Sequence, residues 1–227
     1  PDGQLALTSV IDPTRQAGLD NRVRNMVTDE VIDELDDFET TRWSGRAHEL
    51  LAVAAAGDGW RMVKYDVDSG TTLDDFEISL AEWPERVFVF DDIVVTGSAD
   101  GVYQVHDATN GATVSPPLTL SPDLITVDVT PDHLRLITLG SAGASLIDIA
   151  SGELVKGPLP APNYGVVLPD GSLVGADAGG AVAVYDATTL EFVRPLARTG
   201  GLVQDIRADR AGTVLVTKGG DRTVTLY

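Results

Sequence analysis

Tyr65-Asp66-Val67-Asp68-Ser69-Gly70 is the stretch that decides the fold, because its pattern returns along the sequence. Related stretches are Asp107-Ala108-Thr109-Asn110-Gly111 and Asp148-Ile149-Ala150-Ser151-Gly152. An aspartate that opens such a stretch bonds to nearby backbone, and the closing glycine supplies the positive φ of a tight turn. The pattern therefore predicts the same turn after the same strand in several repeated units.

The spacing of the residues just before these turns gives the length of the repeat. Tyr65, His106, Ile147, Tyr185 and Tyr227 follow one another at intervals of 41, 41, 38 and 42 residues, and Met26 lies 39 residues before Tyr65. Self-similarity at a fixed period is the sequence signature of a repeat architecture. We therefore predict six repeats. We assign a structural role to the residues at the repeat mark: Tyr65, Asp66, His106, Asp107, Ile147, Asp148, Tyr185 and Asp186.

Each repeat is predicted to form four short antiparallel strands, because its apolar runs are short and bounded by Gly and Asp. In one repeat we place strands at 124–129, 134–139, 144–149 and 154–157, and we interpret 12–21 as an extended hairpin loop. The predicted repeats are 1–22 (partial), 23–59, 60–101, 102–143, 144–180, 181–221 and 222–227 (partial), within one domain over 1–227.

One four-stranded sheet of this size cannot cover both of its apolar faces, but copies arranged around an axis cover one another. We therefore expect an all-β protein: a β-propeller of about six four-stranded antiparallel blades, with both terminal blades incomplete or split. Incomplete blades leave unpaired backbone groups, which require partners. We expect these hydrogen-bond partners to come from edge-to-edge self-association or from further chain, since the opening Pro1-Asp2-Gly3 indicates that the sequence is a fragment.

These repeats resemble those of WD40-like and quinoprotein-like β-propellers. Tyr65-Asp66, His106-Asp107, Ile147-Asp148 and Tyr185-Asp186 occupy the position of the Trp-Asp pair, and Leu168-Pro169-Asp170-Gly171 is similar to the Ser-Pro-Asp-Gly turn. No repeat carries the Trp-Asp pair itself, and no Gly-His dipeptide occurs. With 13 Arg against 3 Lys, the chain resembles bacterial, in particular actinobacterial, WD40-repeat proteins.

The resemblance implies a non-catalytic scaffold that binds a protein or peptide, as a module of a larger bacterial signalling or regulatory protein. Its alternative is a propeller enzyme or cofactor binder, of the quinoprotein-like dehydrogenase or lactonase type, that uses the central channel. Fold alone does not choose between them.

The net charge of −19 argues against partners that are rich in phosphate. Such partners bind through Lys and Arg, which release counterions, so we expect neither nucleic acid nor an anionic membrane surface. A protein or peptide partner, basic in character, matches the charge better. The chain has no cysteine and no apolar run of about 18 residues, so we expect a cytoplasmic protein without membrane insertion.

Residues for catalysis or metal binding are not apparent in the sequence. His48, His106 and His133 share no metal-ligand spacing, and neighbouring acids such as Asp74 and Asp75 face opposite sides of a strand. We therefore predict no catalytic residue, no metal and no cofactor.

The loops that enter the innermost strands are the predicted contact sites. Aromatic residues and Arg dominate binding hot spots, so we expect contacts from Trp83, Arg86, Asn163 and Tyr164.

Overall fold

The fold consists of β-strands joined by turns. The structure, a computed structural model, describes residues 5–11, 19–25, 28–35, 40–43, 48–56, 59–78, 86–98, 100–121, 123–160, 162–208, 212–213, 215–220 and 223–226. The strands are β1 (Leu5–Ile11), β2 (Leu19–Asn25), β3 (Val31–Glu34), β4 (Thr40–Trp43), β5 (Glu49–Ala56), β6 (Gly59–Asp66), β7 (Thr71–Ile78), β8 (Arg86–Val89), β9 (Ile93–Gly97), β10 (Val102–Asp107), β11 (Leu118–Thr119), β12 (Leu124–Val129), β13 (Arg135–Gly140), β14 (Gly143–Asp148), β15 (Leu154–Leu159), β16 (Tyr164–Val167), β17 (Ser172–Ala176), β18 (Ala181–Asp186), β19 (Phe192–Arg198), β20 (Val203–Ala208), β21 (Leu215–Gly219) and β22 (Val224–Leu226). Over these ranges, no helix has the length and apolar character needed to cross a membrane.

The strands form six antiparallel sheets of differing size. Their orders are β1-β2-β3, β4-β5-β6-β7, a third sheet that contains β8-β9-β10 in that order, β12-β13-β14-β15, β16-β17-β18-β19 and β20-β21-β22. The prediction of four-stranded antiparallel repeats is confirmed in the second, fourth and fifth sheets. The first and last sheets contain three strands each in the described part of the chain. This difference in sheet size agrees with the prediction that the terminal repeats are partial.

The predicted strand limits differ from the observed ones mainly at the outer strands. β12 has the predicted limits, while β13 and β14 are each displaced by one residue. β15 continues two residues beyond its predicted end, because register shifts let it go on pairing with β14 as far as Leu159. The prediction of a loop over 12–21 is wrong for residues 19–21, which begin β2, and its residues 12–18 lie outside the described ranges.

The chain divides into two compact units, which we call unit 1 (Pro1–Val114) and unit 2 (Ser115–Tyr227). The single domain over 1–227 stays a prediction. In unit 1, β1 contacts β4, and β4 contacts β8. In unit 2, β12 contacts β16, and β16 contacts β20. The first strand of each sheet is thus its inner strand, and the last strand of a four-stranded sheet is its outer strand.

Aliphatic side chains between neighbouring sheets form the core of each unit. In unit 1, Leu51 and Met62 of the second sheet pack in one cluster with Val94 of the third. In unit 2, Leu139 of the fourth sheet packs in one cluster with Leu173 of the fifth. The sheets therefore cover one another's apolar faces within each unit, as the repeat argument requires.

Two polar side chains also join the fourth and fifth sheets near their inner strands. The Asp128 carboxylate accepts a hydrogen bond of 2.8 Å from the Val167 amide. The buried Asn163 side chain donates from Nδ2 to the Gly140 carbonyl at 2.7 Å. Such bonds satisfy backbone groups at strand ends that would otherwise be buried without partners.

Candidate interaction surface

The carboxylates at the repeat mark are engaged in their own turns. Asp66 accepts from the amide and the hydroxyl of Ser69, both at 2.7 Å. The Ser69 hydroxyl and then its amide lower the pKa of Asp66. Asp107 is bonded in the same way by Thr109, whose hydroxyl lowers the pKa of that carboxyl. These groups are ionised turn caps, bound to their own loop rather than aimed at a shared site.

The histidine at the third repeat mark is buried between two hydroxyl groups. His106 is completely buried in unit 1, with Nε2 3.1 Å from the Thr96 hydroxyl and Nδ1 3.4 Å from the Thr113 hydroxyl. Burial lowers the pKa of His106, and a backbone hydrogen bond involving Gly111 opposes that shift. The imidazole is therefore neutral in the fold at neutral pH, and its partners are neutral hydroxyls.

We expect His106 to make the protein less stable as the pH falls below 6.5, the ordinary pKa of histidine. The unfolded chain binds a proton there, while the folded chain does not until the pH reaches the lowered pKa, so the free energy of unfolding decreases across that window. Urea denaturation at a series of pH values will measure the decrease.

The variant His106→Gln should make the free energy of unfolding less dependent on pH below 6.5, since glutamine keeps polar groups but does not titrate. His133→Asn is the matched control, because His133 lies in a turn with a φ of 56°, which asparagine tolerates. If the free energy of unfolding decreased only from near pH 3.8 downward, the repeat aspartates, whose pKa values are lowered, would account for the decrease. That result would contradict a role for His106.

The predicted contact residues lie in different environments. Trp83 lies outside the described ranges, and Arg86 begins β8 with a half-buried side chain. Asn163 is buried, and its amide joins two sheets. Tyr164 is half-buried and packs against the core cluster between the fifth and sixth sheets. Arg86 belongs to unit 1, and Asn163 and Tyr164 belong to unit 2; the contact role of the four residues stays a prediction.

A second repeated feature, which we did not identify from the sequence, lies on the last strands of the sheets. Asn25 ends β2 as Asp66 ends β6, so it is the structural counterpart of the repeat aspartates, two residues before the position that the Met26 spacing predicts. Seven positions after Asn25, Asp66, Asp148 and Asp186, one extra residue interrupts the pairing with the preceding strand as a β-bulge. The third repeat has Val114 at the same offset, directly after the isolated bridge between His106 and Thr113. The residues at this position are Ile32, Leu73, Val114, Val155 and Val193.

These five aliphatic side chains are 41–58% exposed, although every one of them is branched and apolar. Residues immediately after the repeat aspartates provide the contrast, since Val67, Ala108, Ile149 and Ala187 are all buried. An apolar residue that recurs at an exposed position suggests a contact surface more strongly than a single exposed one does. A sequence search for apolar residues at a fixed offset from the aspartates would have found the pattern, but not its exposure.

Exposed apolar side chains also occur on the two outer strands of unit 2. They are Leu154 and Val155 of β15, and Phe192, Val193 and Leu196 of β19. The register puts Phe192 on the face of the fifth sheet that carries Tyr185, and Arg194 on the opposite face. The Phe192 ring packs edge-on against Tyr185, with 6.0 Å between ring centroids. The Lys156 ammonium donates to the Thr189 carbonyl at 2.6 Å, which places β15 beside the turn that leads into β19.

A cavity of about 250 Å³ lies in unit 2, beside the face of the fourth sheet that carries Ile147 and Leu154. Leu118, Leu124, Ile147 and Leu154 line it, and none of the described residues that line it carries a charge. Apolar walls of this kind favour an apolar group over a charged one. Leu154 pairs with Ile147 on the face of the fourth sheet opposite the one that packs against the fifth sheet, so the cavity lies on that opposite face.

Comparisons with known proteins support the fold. No protein-family model matches the sequence, and no curated protein is significantly similar to it. A crystal structure of the computationally designed Ika8 protein is 15% identical with a TM-score of 0.61, over 99% of this chain and 68% of that one. A chain in the crystal structure of the Mitotic Checkpoint Complex is 16% identical with a TM-score of 0.67, over 98% of this chain and 69% of that one. The likeness shows a β-propeller-like fold.

Proposed function

We propose that this protein is a non-catalytic β-propeller scaffold that binds other proteins, in the manner of WD40-like propellers. The observation that carries the proposal is the exposed aliphatic residue on a β-bulge, repeated seven positions after the mark of successive repeats. Exposed apolar residues in a recurring arrangement are typical of surfaces that become buried in a complex.

The turn chemistry supports a role in binding rather than in catalysis. Asp66, Asp107, Asp148 and Asp186 are held by hydrogen bonds from their own turns, and these bonds lower their pKa values. A general acid would need the opposite shift, toward neutral pH. The likeness to a chain of the Mitotic Checkpoint Complex also fits a propeller that works within an assembly.

The charge distribution suggests that a basic partner binds unit 1. That unit has eight basic and 23 acidic residues, a formal charge of −15, whereas unit 2 has eight basic and 12 acidic residues, a formal charge of −4. An excess of one sign accelerates association with partners of the opposite sign. We further propose that the protein works in the bacterial cytoplasm as a module of a larger regulatory protein.

Site-specific photo-crosslinking in cells that produce the protein naturally will test the scaffold function. A crosslinking residue at Val155 or Val193 should capture the same protein, whereas one at Leu134, equally apolar and 62% exposed but not on a bulge, should capture several-fold less. The pair Val155→Ser and Val193→Ser should weaken co-purification of that protein, and Leu134→Ser should not. Capture of no protein, together with a small molecule that raises the melting temperature, would support the cofactor-binding alternative instead.

A further inference from the structure

We propose that the cavity of unit 2 binds a small uncharged molecule that combines an apolar ring with one hydroxyl group, as a phenol does. All the described residues that line the cavity belong to unit 2. The proposal does not depend on the scaffold function, and it assigns the protein a second binding site of a different kind.

The first argument is the order of side chains along the cavity. The face of the fourth sheet beside the cavity carries three successive cross-strand pairs of β13 and β14, which are Leu136 with Ile147, Thr138 with Ser145, and Gly140 with Gly143. The side chains on this face thus change from aliphatic to hydroxyl-bearing, and the glycine pair adds none. An apolar ring fits against the aliphatic end of the face, and its polar substituent then lies over the middle pair.

The second argument is the state of the two hydroxyl groups. Thr138 is 8% exposed and Ser145 is half-buried, and both line the cavity. Neither hydroxyl forms a hydrogen bond with any described residue. As a cross-strand pair the two residues have Cβ atoms about 5 Å apart, so a single ligand oxygen reaches both hydroxyls. Because a buried hydroxyl without a partner is costly, a ligand that supplies one gains a hydrogen bond inside the cavity.

The third argument is the size and charge of the cavity. Its volume of about 250 Å³ accommodates one ring with a short substituent, since about 150 Å³ is enough for benzene in an apolar protein cavity. With no charge among the described lining residues, an ionised ligand would lose hydration without gaining an ion pair. Leu154, which is 57% exposed, is one of the lining residues, so the cavity opens to solvent beside β15.

Fluorine NMR titrations of the full chain at neutral pH will test the proposal with three related probes. Para-fluorophenol has the ring and the hydroxyl, fluorobenzene lacks the hydroxyl, and para-fluorobenzoate has a negative charge in its place. We expect para-fluorophenol to bind several-fold more tightly than fluorobenzene, because it alone supplies a partner for the two hydroxyls. Para-fluorobenzoate should not bind at concentrations at which para-fluorophenol saturates the site.

The double variant Thr138→Val with Ser145→Ala will locate the site. It removes both hydroxyls with little change of shape, so the affinity for para-fluorophenol should fall about tenfold while that for fluorobenzene does not fall. Thr126→Val is the matched control, because Thr126 pairs with Leu139 on the face that packs against the fifth sheet. It should leave both affinities within about twofold. Thermal melting will verify that each variant is folded.

Three results would overturn the proposal. They are equal affinities for para-fluorobenzoate and para-fluorophenol, an unchanged affinity for para-fluorophenol in the double variant, and no binding of para-fluorophenol at millimolar concentrations. Crosslinking at Val155 and Val193 tests the scaffold function by a separate measurement. Capture of a protein there, together with any of these three results, would leave the scaffold function standing and this proposal alone wrong.

Discussion

Gly143→Ala is expected to destabilise the protein severely, by about 3–5 kcal/mol, or to prevent folding. Gly143 begins β14 with a φ of 102°, a conformation that residues with a side chain rarely adopt. A Cβ atom there would lie 1.6 Å from the Leu159 carbonyl oxygen of β15, and because that atom is backbone it cannot rotate away. The outer strand would have to separate from β14. The midpoint of urea denaturation measures the loss.

Gly201→Ala is the matched control. A Cβ atom at Gly201 would have no atom within 4 Å beyond those of its chain neighbours, and the residue lies in the loop between β19 and β20 of the same unit. We expect its denaturation midpoint to stay within the equivalent of about 0.5 kcal/mol of the original. If the two substitutions lowered the denaturation midpoint by similar amounts, β15 would not approach Gly143 as described.

Leu139→Ala should destabilise the protein by about 2–5 kcal/mol. Leu139 is completely buried in the cluster between the fourth and fifth sheets, and its Cδ1 lies 3.2 Å from where Gly165 would carry a Cβ atom. Removing three carbons there loses apolar burial and leaves a cavity, because the rigid neighbouring sheet cannot move in to fill it.

Leu134→Ala, in the turn that directly precedes β13, provides the comparison. Leu134 is 62% exposed, so its truncation should change the free energy of unfolding by no more than about 0.5 kcal/mol. If the two variants lost equal stability in urea denaturation, the contact between the fourth and fifth sheets would not be the main source of stability in unit 2.

Much of the repeat architecture could be predicted from the sequence because it depends on local chemistry. The turn at Asp148 needs only an aspartate, a following hydroxyl and a glycine, and the structure contains those hydrogen bonds and a φ of 73° at Gly152. The limits of β12 follow from a short apolar run between two Pro-Asp pairs. Interactions over three to five residues decide these features, so the amino-acid types nearby are sufficient.

The contact residues illustrate what local patterns cannot reveal. Asn163 directly precedes the inner strand β16 and Tyr164 begins it, at the end of a loop of the kind in which aromatic and polar contact residues often lie. Asn163 nevertheless donates to a carbonyl 23 residues earlier in the sequence, and Tyr164 packs against the next sheet. Their burial depends on where the neighbouring sheet lies, and no pattern around residue 163 contains that information.

The amino-acid sequence by itself determined the period, the turns and the alternation of short strands, because each depends on φ preferences and hydrogen bonds within a few residues. Only the tertiary structure decided which apolar residues remain exposed. Residue type does not separate the two cases: Ile149 and Val155 are both branched aliphatic residues six positions apart, yet the first is buried and the second is half exposed. A β-bulge and the position of the next sheet, both products of long-range packing, make that difference.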